Sequence, residues 1–152
     1  MKTIVIPSDF SSESIQVADT VLRTYKEEVT IVFIHLFHVA DDIQDLLFSS
    51  YRKKEYDLVP DEFRKECNMM KELSGGKLKS YKIEFFYGNR LAPLKNFLEY
   101  NKADVIAYSE SYGVPKLSKS SLDAVSVIKK AGLPLFDTDT VHESAFSDAN
   151  HA

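Results

Sequence analysis

Met1-Lys-Thr-Ile-Val-Ile-Pro-Ser-Asp9 is a short apolar run that stops at a polar pair carrying an acid, and an amphipathic pattern starts directly behind it. Thr3 to Ile6 are β-branched on consecutive positions, as in a strand covered on both faces. Ile15, Ala18, Val21, Leu22 and Tyr25 recur at the three-and-four spacing of a helix. Ser11 and Ser12 stand where N-caps belong, and Glu13 adds favourable charge to the first turn. A buried strand that runs straight into a helix brings Ser8 and Asp9 to the carboxyl edge of a parallel sheet. Open α/β folds take their ligands there.

The same alternation continues outward. Val29 to Leu36 is a second apolar run, long enough for a central strand and too short for a typical helix. From Asp41 to about Tyr56, Ile43, Leu46, Leu47 and Tyr51 share one helical face. Pro60 interrupts the pattern before Phe63, Cys67, Met70 and Leu73 resume it. This predicts a loop-rich helical excursion, then a helix with Pro60, Asp61 and Glu62 in its first turn and Ser74-Gly75-Gly76 at its close. Tyr81 to Tyr87 alternates as an edge-type strand, and Gly88-Asn89 turns the chain. Leu91, Leu94, Phe97 and Leu98 mark a third helix, and Asp104 to Tyr108 a fourth strand. A polar stretch, Ser109 to Lys119, leads into a fourth helix carrying Ala124, Val125, Ile128 and Ala131. Gly132 ends that helix before Leu133-Pro134-Leu135-Phe136 supplies a fifth strand. Strands separated by helices predict right-handed crossovers and a doubly wound parallel sheet over residues 1–140. Residues 141–152 lack periodicity and are expected to fray.

Composition narrows the function classes. At 152 residues and 44% hydrophobic, the chain can bury a full core without metals or cross-links. Its single cysteine, Cys67, excludes an internal disulfide, and neither a signal peptide nor an apolar run near the ~18 residues of a membrane span is visible. The expectation is a cytoplasmic protein without membrane contact. A net charge of −4, with the basic residues scattered among acids, argues against a nucleic-acid partner.

Taken together, Ile4-Val-Ile-Pro-Ser-Asp-Phe-Ser, Ile34-His35-Leu36, Gly88, Ala103-Asp-Val-Ile-Ala and Ala131-Gly-Leu-Pro-Leu resemble the universal stress protein family over roughly residues 2 to 138. The resemblance implies a Rossmann-like, adenine nucleotide alpha hydrolase-like sheet of five parallel strands in the order 3-2-1-4-5. It also implies dimers formed by pairing of the fifth strands, here through Leu135 and Phe136. ATP-binding members carry G-x-x-G, then nine residues later G-[ST], between strand four and its helix. Small residues are needed there because phosphate oxygens must approach main-chain N–H groups closely. The matching stretch here is Ser109-Glu-Ser-Tyr-Gly-Val-Pro-Lys-Leu-Ser-Lys-Ser-Ser121. Ser109 and Tyr112 occupy the first two glycine positions, and Ser120 or Ser121 the later one. Gly113 stands one place late, and Glu110 adds a like charge that costs an incoming triphosphate on the order of 1 kcal/mol.

Ser8, Asp9, Leu36, Ser109, Tyr112, Ser120 and Ser121 are therefore the candidate ligand-contacting residues, on a chain expected to have lost ATP binding in the family's usual form. Each also has a plain structural reading. Asp9 reads equally as a loop-bracing or helix-capping acid. Ser118, Lys119, Ser120 and Ser121 read as an N-cap with a solvated lysine or as a hydroxyl-and-lysine phosphate cradle. His35 and His38, three apart at a strand end with Asp41 and Asp42 behind them, point to different faces and do not converge as metal ligands. Cys67 reads as an inert core thiol. No G-x-S-x-G elbow, Walker loop or G-x-G-x-x-G is present, and no residue is nominated as catalytic.

The expected function is a homodimeric, non-enzymatic stress or signalling domain acting through a protein partner or a different small ligand. The first rival is a nucleotide-binding member with a Ser/Lys phosphate loop, for which ATP would be the cofactor. The second is a small α/β enzyme using Asp9. Tyr108 or Tyr112 is expected to fold over the carboxyl ends of strands one and four and narrow a pocket near Asp9, the contrary expectation being a mobile loop above an open cleft.

Overall fold

β1 (Lys2–Pro7), β2 (Val29–Phe37), β3 (Leu78–Tyr87), β4 (Val105–Tyr108) and β5 (Leu135–Asp137) form one sheet in the order β3-β2-β1-β4-β5, and every ladder is parallel. The computed structural model describes residues 1–37, 57–88, 90–117 and 121–141. Within them the helices are α1 (Ser12–Thr24), α2 (Asp61–Leu73), α3 (Leu91–Tyr100) and α4 (Ala124–Ile128), and residues 138–141 make one further helical turn after β5. The doubly wound α/β architecture and its strand order agree with the expectation from sequence.

The pleat explains why the strand sequences are apolar almost without interruption. Ile4 and Ile6 of β1 face one layer with Ile31, Phe33 and Val105, while Val5 faces the other with Val32, Ile34 and Ile106. α1 and α2 cover the first face through Val17, Ala18, Val21, Phe63 and Cys67, and α3 and α4 cover the second through Leu94, Leu98, Val125 and Ile128. Each fully buried side chain of the Phe33 or Ile106 kind contributes roughly 1.5–3 kcal/mol, so two-sided burial is what stabilises the sheet.

Several boundaries differ from the sequence reading. β3 begins at Leu78 and is the sheet edge, most of its residues half-exposed. Pro60 is the N-cap of α2 rather than a residue of its first turn, its extended backbone setting up the helix. β5 starts two residues late: Pro134 still contributes its carbonyl to the Ile106 N–H at 3.0 Å, but the ladder itself runs from Leu135 to Asp137. α4 is shorter than expected and does not reach Ala131. Its cap is Asp123, whose carboxylate accepts the Ser126 N–H, so Ser121 does not cap this helix; Ser118 and Lys119, named for a cap or a phosphate cradle, lie outside the described residues. Ser121 instead forms an antiparallel bridge with Phe37. The expected helical excursion from Asp41 to Tyr56, together with His38, Asn89, Ser120 and residues 142–152, lies outside the described residues. No helix among the described residues is long and apolar enough to cross a membrane.

Candidate functional site at the switch point

β1 and β4 are neighbours in the sheet, and the chain crosses from β1 to β2 on one side and arrives at β4 on the other. The crevice at their carboxyl ends is the topological switch point. Ser8 and Asp9 follow β1 there, and Ser109 to Tyr112 follow β4.

Phe10 sets the direction of the first loop. It adopts a left-handed backbone (φ 63) that costs a non-glycine residue about 1–2 kcal/mol. Its ring is buried against Phe63 at 5.5 Å and Phe85 at 5.4 Å. That burial contributes roughly 1.5–3 kcal/mol, enough to offset the strain. With Phe10 turned inward, Asp9 is left half-exposed above the crevice.

Asp9 is held from both sides. Its Oδ1 accepts the Ser11 N–H at 3.2 Å and the Ser11 hydroxyl at 2.5 Å. Ser11 is the N-cap of α1, yet its side chain makes no cap bond because Asp9 engages it. From across the crevice the Tyr112 hydroxyl donates to Asp9 Oδ1, and the Asp9 N–H donates back to the Tyr112 oxygen at 3.0 Å. The Tyr112 ring packs against the apolar layers on both faces of the sheet, so it sits astride the sheet's carboxyl edge. Burial, and then the bond to the Asp9 carboxylate, push its phenol well above the ordinary range. It stays a neutral donor.

Ser8 is fully buried: its hydroxyl donates to Ser14 Oγ and accepts the Phe10 N–H, each at 2.8 Å. Its carbonyl lies 2.7 Å from His35 Nδ1, and only a protonated Nδ1 satisfies a carbonyl. The other nitrogen, Nε2, therefore accepts from the Ser121 hydroxyl at 2.8 Å, and Ser121 Oγ in turn accepts the Leu117 N–H at 3.0 Å. Burial lowers the His35 pKa, so the ring is neutral. A serine on an imidazole has the parts of a nucleophile and its base. Both are about 1% exposed, so the pair acts as a buried strut joining β1, β2 and the β4–α4 loop. In the sequence His35 stands out as one of two non-converging histidines and as part of the Ile34-His35-Leu36 stretch, not as a strut. A lone polar residue inside an apolar strand was the available sign that it needed buried partners. Leu36 is wholly buried, and its part here is a carbonyl that accepts the Leu122 N–H at 2.9 Å.

The β4 loop is tied down through acids at the end of β5 and just after it, residues outside the candidates read from the sequence. Ser109 Oγ donates to Asp139 Oδ1 at 2.7 Å, and the Ser111 N–H donates to Asp139 Oδ2 at 2.8 Å. Glu110 turns outward to Lys129 at 2.9 Å. Gly113 (φ 66) and Val114 (φ 49) take consecutive left-handed conformations, the second tucking the Val114 side chain into the layer beside α4. A polar cleft of about 390 Å³ lies beside this loop, bordered by Glu13, Thr20, Ser111, Tyr112 and Asp139. A larger groove of about 740 Å³ lies between α1 and α2 toward the amino edge of the sheet, lined by Ile15, Leu22, Met70 and Leu73. Cys67 is fully buried in the α2 layer, and burial pushes its thiol up to about 12. Among the described residues, no group of three or more His, Cys, Asp or Glu side chains is arranged to hold a metal.

A parallel sheet in the order β3-β2-β1-β4-β5, with polar side chains gathered where β1 meets β4, defines a Rossmann-like α/β domain. More particularly, the fold is that of the universal stress proteins. The chain superimposes on the universal stress protein UspA from Lactobacillus plantarum with a TM-score of 0.54 at 10% identity, over 90% of this chain and 96% of that one. It matches the crystal structure of the hypothetical protein PH0823 with a TM-score of 0.54 at 15% identity, over 90% and 94% of the two chains. A universal stress protein solved in complex with cAMP aligns with a TM-score of 0.47 at 13% identity, over 90% and 94%. No family model and no curated protein matches the chain.

Proposed function

We propose that this protein is a non-enzymatic, cytoplasmic stress or signalling domain of universal-stress type, working as a homodimer through protein contacts, with its switch-point crevice closed by its own side chains in place of ATP. The observation that carries this reading is Tyr112 on Asp9. A nucleotide entering between β1 and β4 must displace a ring packed on both core layers and break its bond to a carboxylate. A hydrogen bond to a charged group alone is worth roughly 1.5–3 kcal/mol, which weakens an incoming ligand by about tenfold to a hundredfold. The dimer part rests on β5, a three-residue strand paired with β4 and carrying Leu135 at 42% exposure. An edge strand presents unpaired N–H and C=O groups that a second copy can pair, and the exposed leucine beside them gives that copy apolar surface to cover.

Native mass spectrometry of freshly purified protein tests the reading directly. A dimer mass with no added nucleotide supports it, and a retained adenine nucleotide overturns it.

A further inference from the structure

The N–H groups of three consecutive residues after β4 all end on side-chain oxygens. Glu110 N–H reaches Asp137 Oδ1 at 3.5 Å, Ser111 N–H reaches Asp139 Oδ2 at 2.8 Å, and Tyr112 N–H reaches Ser109 Oγ at 3.2 Å. The hydroxyls of Ser109 and Ser111 add to the set, meeting Asp139 Oδ1 at 2.7 and 3.2 Å. One carboxylate thus collects a main-chain N–H and two hydroxyl donors from a single tight loop. A backbone N–H and two hydroxyls converging on one carboxylate are a donor set of the kind that binds oxyanions, and charge-assisted bonds of this type are the strong ones. Asp139 arrives from a different element, the segment just after β5, 30 residues from Ser109. Its backbone is braced in turn, since the Asp139 N–H donates to Asp137 Oδ1 at 3.0 Å.

We infer that Asp139 is an internal oxyanion: it occupies the donor set of the β4 loop and sets the specificity of the crevice by excluding phosphate groups from it. The inference deepens the closed-crevice reading and rests on it. Tyr112 covers Asp9, and Asp139 occupies the donors of the neighbouring turn. Two barriers of different chemistry therefore face a phosphorylated ligand, one steric and one electrostatic. An external phosphate must both displace a tethered carboxylate and approach its charge. The tether keeps that carboxylate at a high effective concentration, which a free anion at ordinary levels does not match.

The test is a thermal titration of parent, Asp139→Ala and Asp139→Asn with inorganic phosphate, ionic strength being held constant with sodium chloride. Asp139→Ala releases the Ser111 N–H and the Ser109 and Ser111 hydroxyls, donors that end on this carboxylate. Asp139→Asn keeps the shape and one acceptor while removing the charge, so it carries the test if the alanine variant does not fold. The melting temperature of the folded variants is expected to rise with the logarithm of phosphate concentration, with binding at least about tenfold tighter than in the parent. A folded variant no more responsive to phosphate than the parent overturns the inference. Stabilisation of the parent by magnesium-ATP instead overturns the closed-crevice reading, so the two failures are separately visible.

Discussion

Nε2 of His35 and the hydroxyl of Ser121 lie 2.8 Å apart although 86 residues separate them in the chain, and the bond joins the end of β2 to the far side of the β4–α4 loop. Because Nδ1 is committed to the Ser8 carbonyl, the same imidazole also holds the loop that carries Asp9. One buried ring sets the distance between the two loops that flank the crevice.

This arrangement makes stability depend on pH in a definite direction. Burial lowers the His35 pKa below its ordinary 6.5, so the unfolded chain binds the proton more readily than the folded one. The His35 contribution is fully present above pH 6.5 and is lost as pH falls from there toward the depressed folded value. Asp9 opposes part of the shift, and the Phe10 and Phe37 rings beside the imidazole carry no charge. Urea denaturation of the parent is expected to show falling stability below pH 6.5, and His35→Asn a flatter profile over the same range. Equal slopes in the two proteins would contradict the assignment.

Magnesium-ATP at millimolar concentration is expected to leave the melting temperature of the parent nearly unchanged, because stabilisation follows the logarithm of concentration over dissociation constant. Tyr112→Ala removes the ring and hydroxyl that hold Asp9. That variant should lose about 1–3 kcal/mol of stability by chemical denaturation and gain a measurable ATP-dependent shift. A parent that shifts by several degrees in ATP would defeat the prediction.

Of the two residues expected at a β5 interface, Leu135 is exposed while Phe136 is half-buried and packs edge-on against Tyr25 at 6.1 Å. Phe136→Asp would therefore damage the fold as well as any interface. Leu135→Asp is the cleaner probe: light scattering should report a dimeric parent and a monomeric variant with an unchanged circular dichroism spectrum. A monomeric parent refutes the homodimer.

Gly113 offers a test of the loop's backbone alone. A Cβ added there meets Glu110 O at 3.9 Å, an ordinary contact, so space is not at issue. Its φ of 66 is left-handed, and any L side chain in that region costs about 1–2 kcal/mol. Gly113→Ala should lose that amount in equilibrium unfolding, and no measurable loss would mean that the loop takes another path.

The strands, their two-sided burial and the placement of Ser8 and Asp9 at a sheet edge were legible from local patterns alone. Thr3 to Ile6, Val29 to Leu36 and Val105 to Tyr108 are apolar because both faces of a doubly wound sheet are covered, and that demand is written into consecutive residues. Of the partners at the crevice, a tyrosine from the β4 loop over Asp9 was legible as bulk beside a short polar turn, whereas the particular atoms that meet were not. Tyr112 meets Asp9 across 103 residues, His35 meets Ser121 across 86, and Asp139 meets Ser109 across 30. In sequence Asp139 is one acid in a polar run, and His35 is a polar interruption in an apolar one. Hydrophobic periodicity constrains which face of an element is buried, so sequence by itself determined which described elements follow one another along the chain, while their order in the sheet came only through the family resemblance. A hydrogen bond depends on the separation of two particular atoms, and only the assembled sheet, with β4 laid beside β1 and β5 beside β4, brings those atoms within reach.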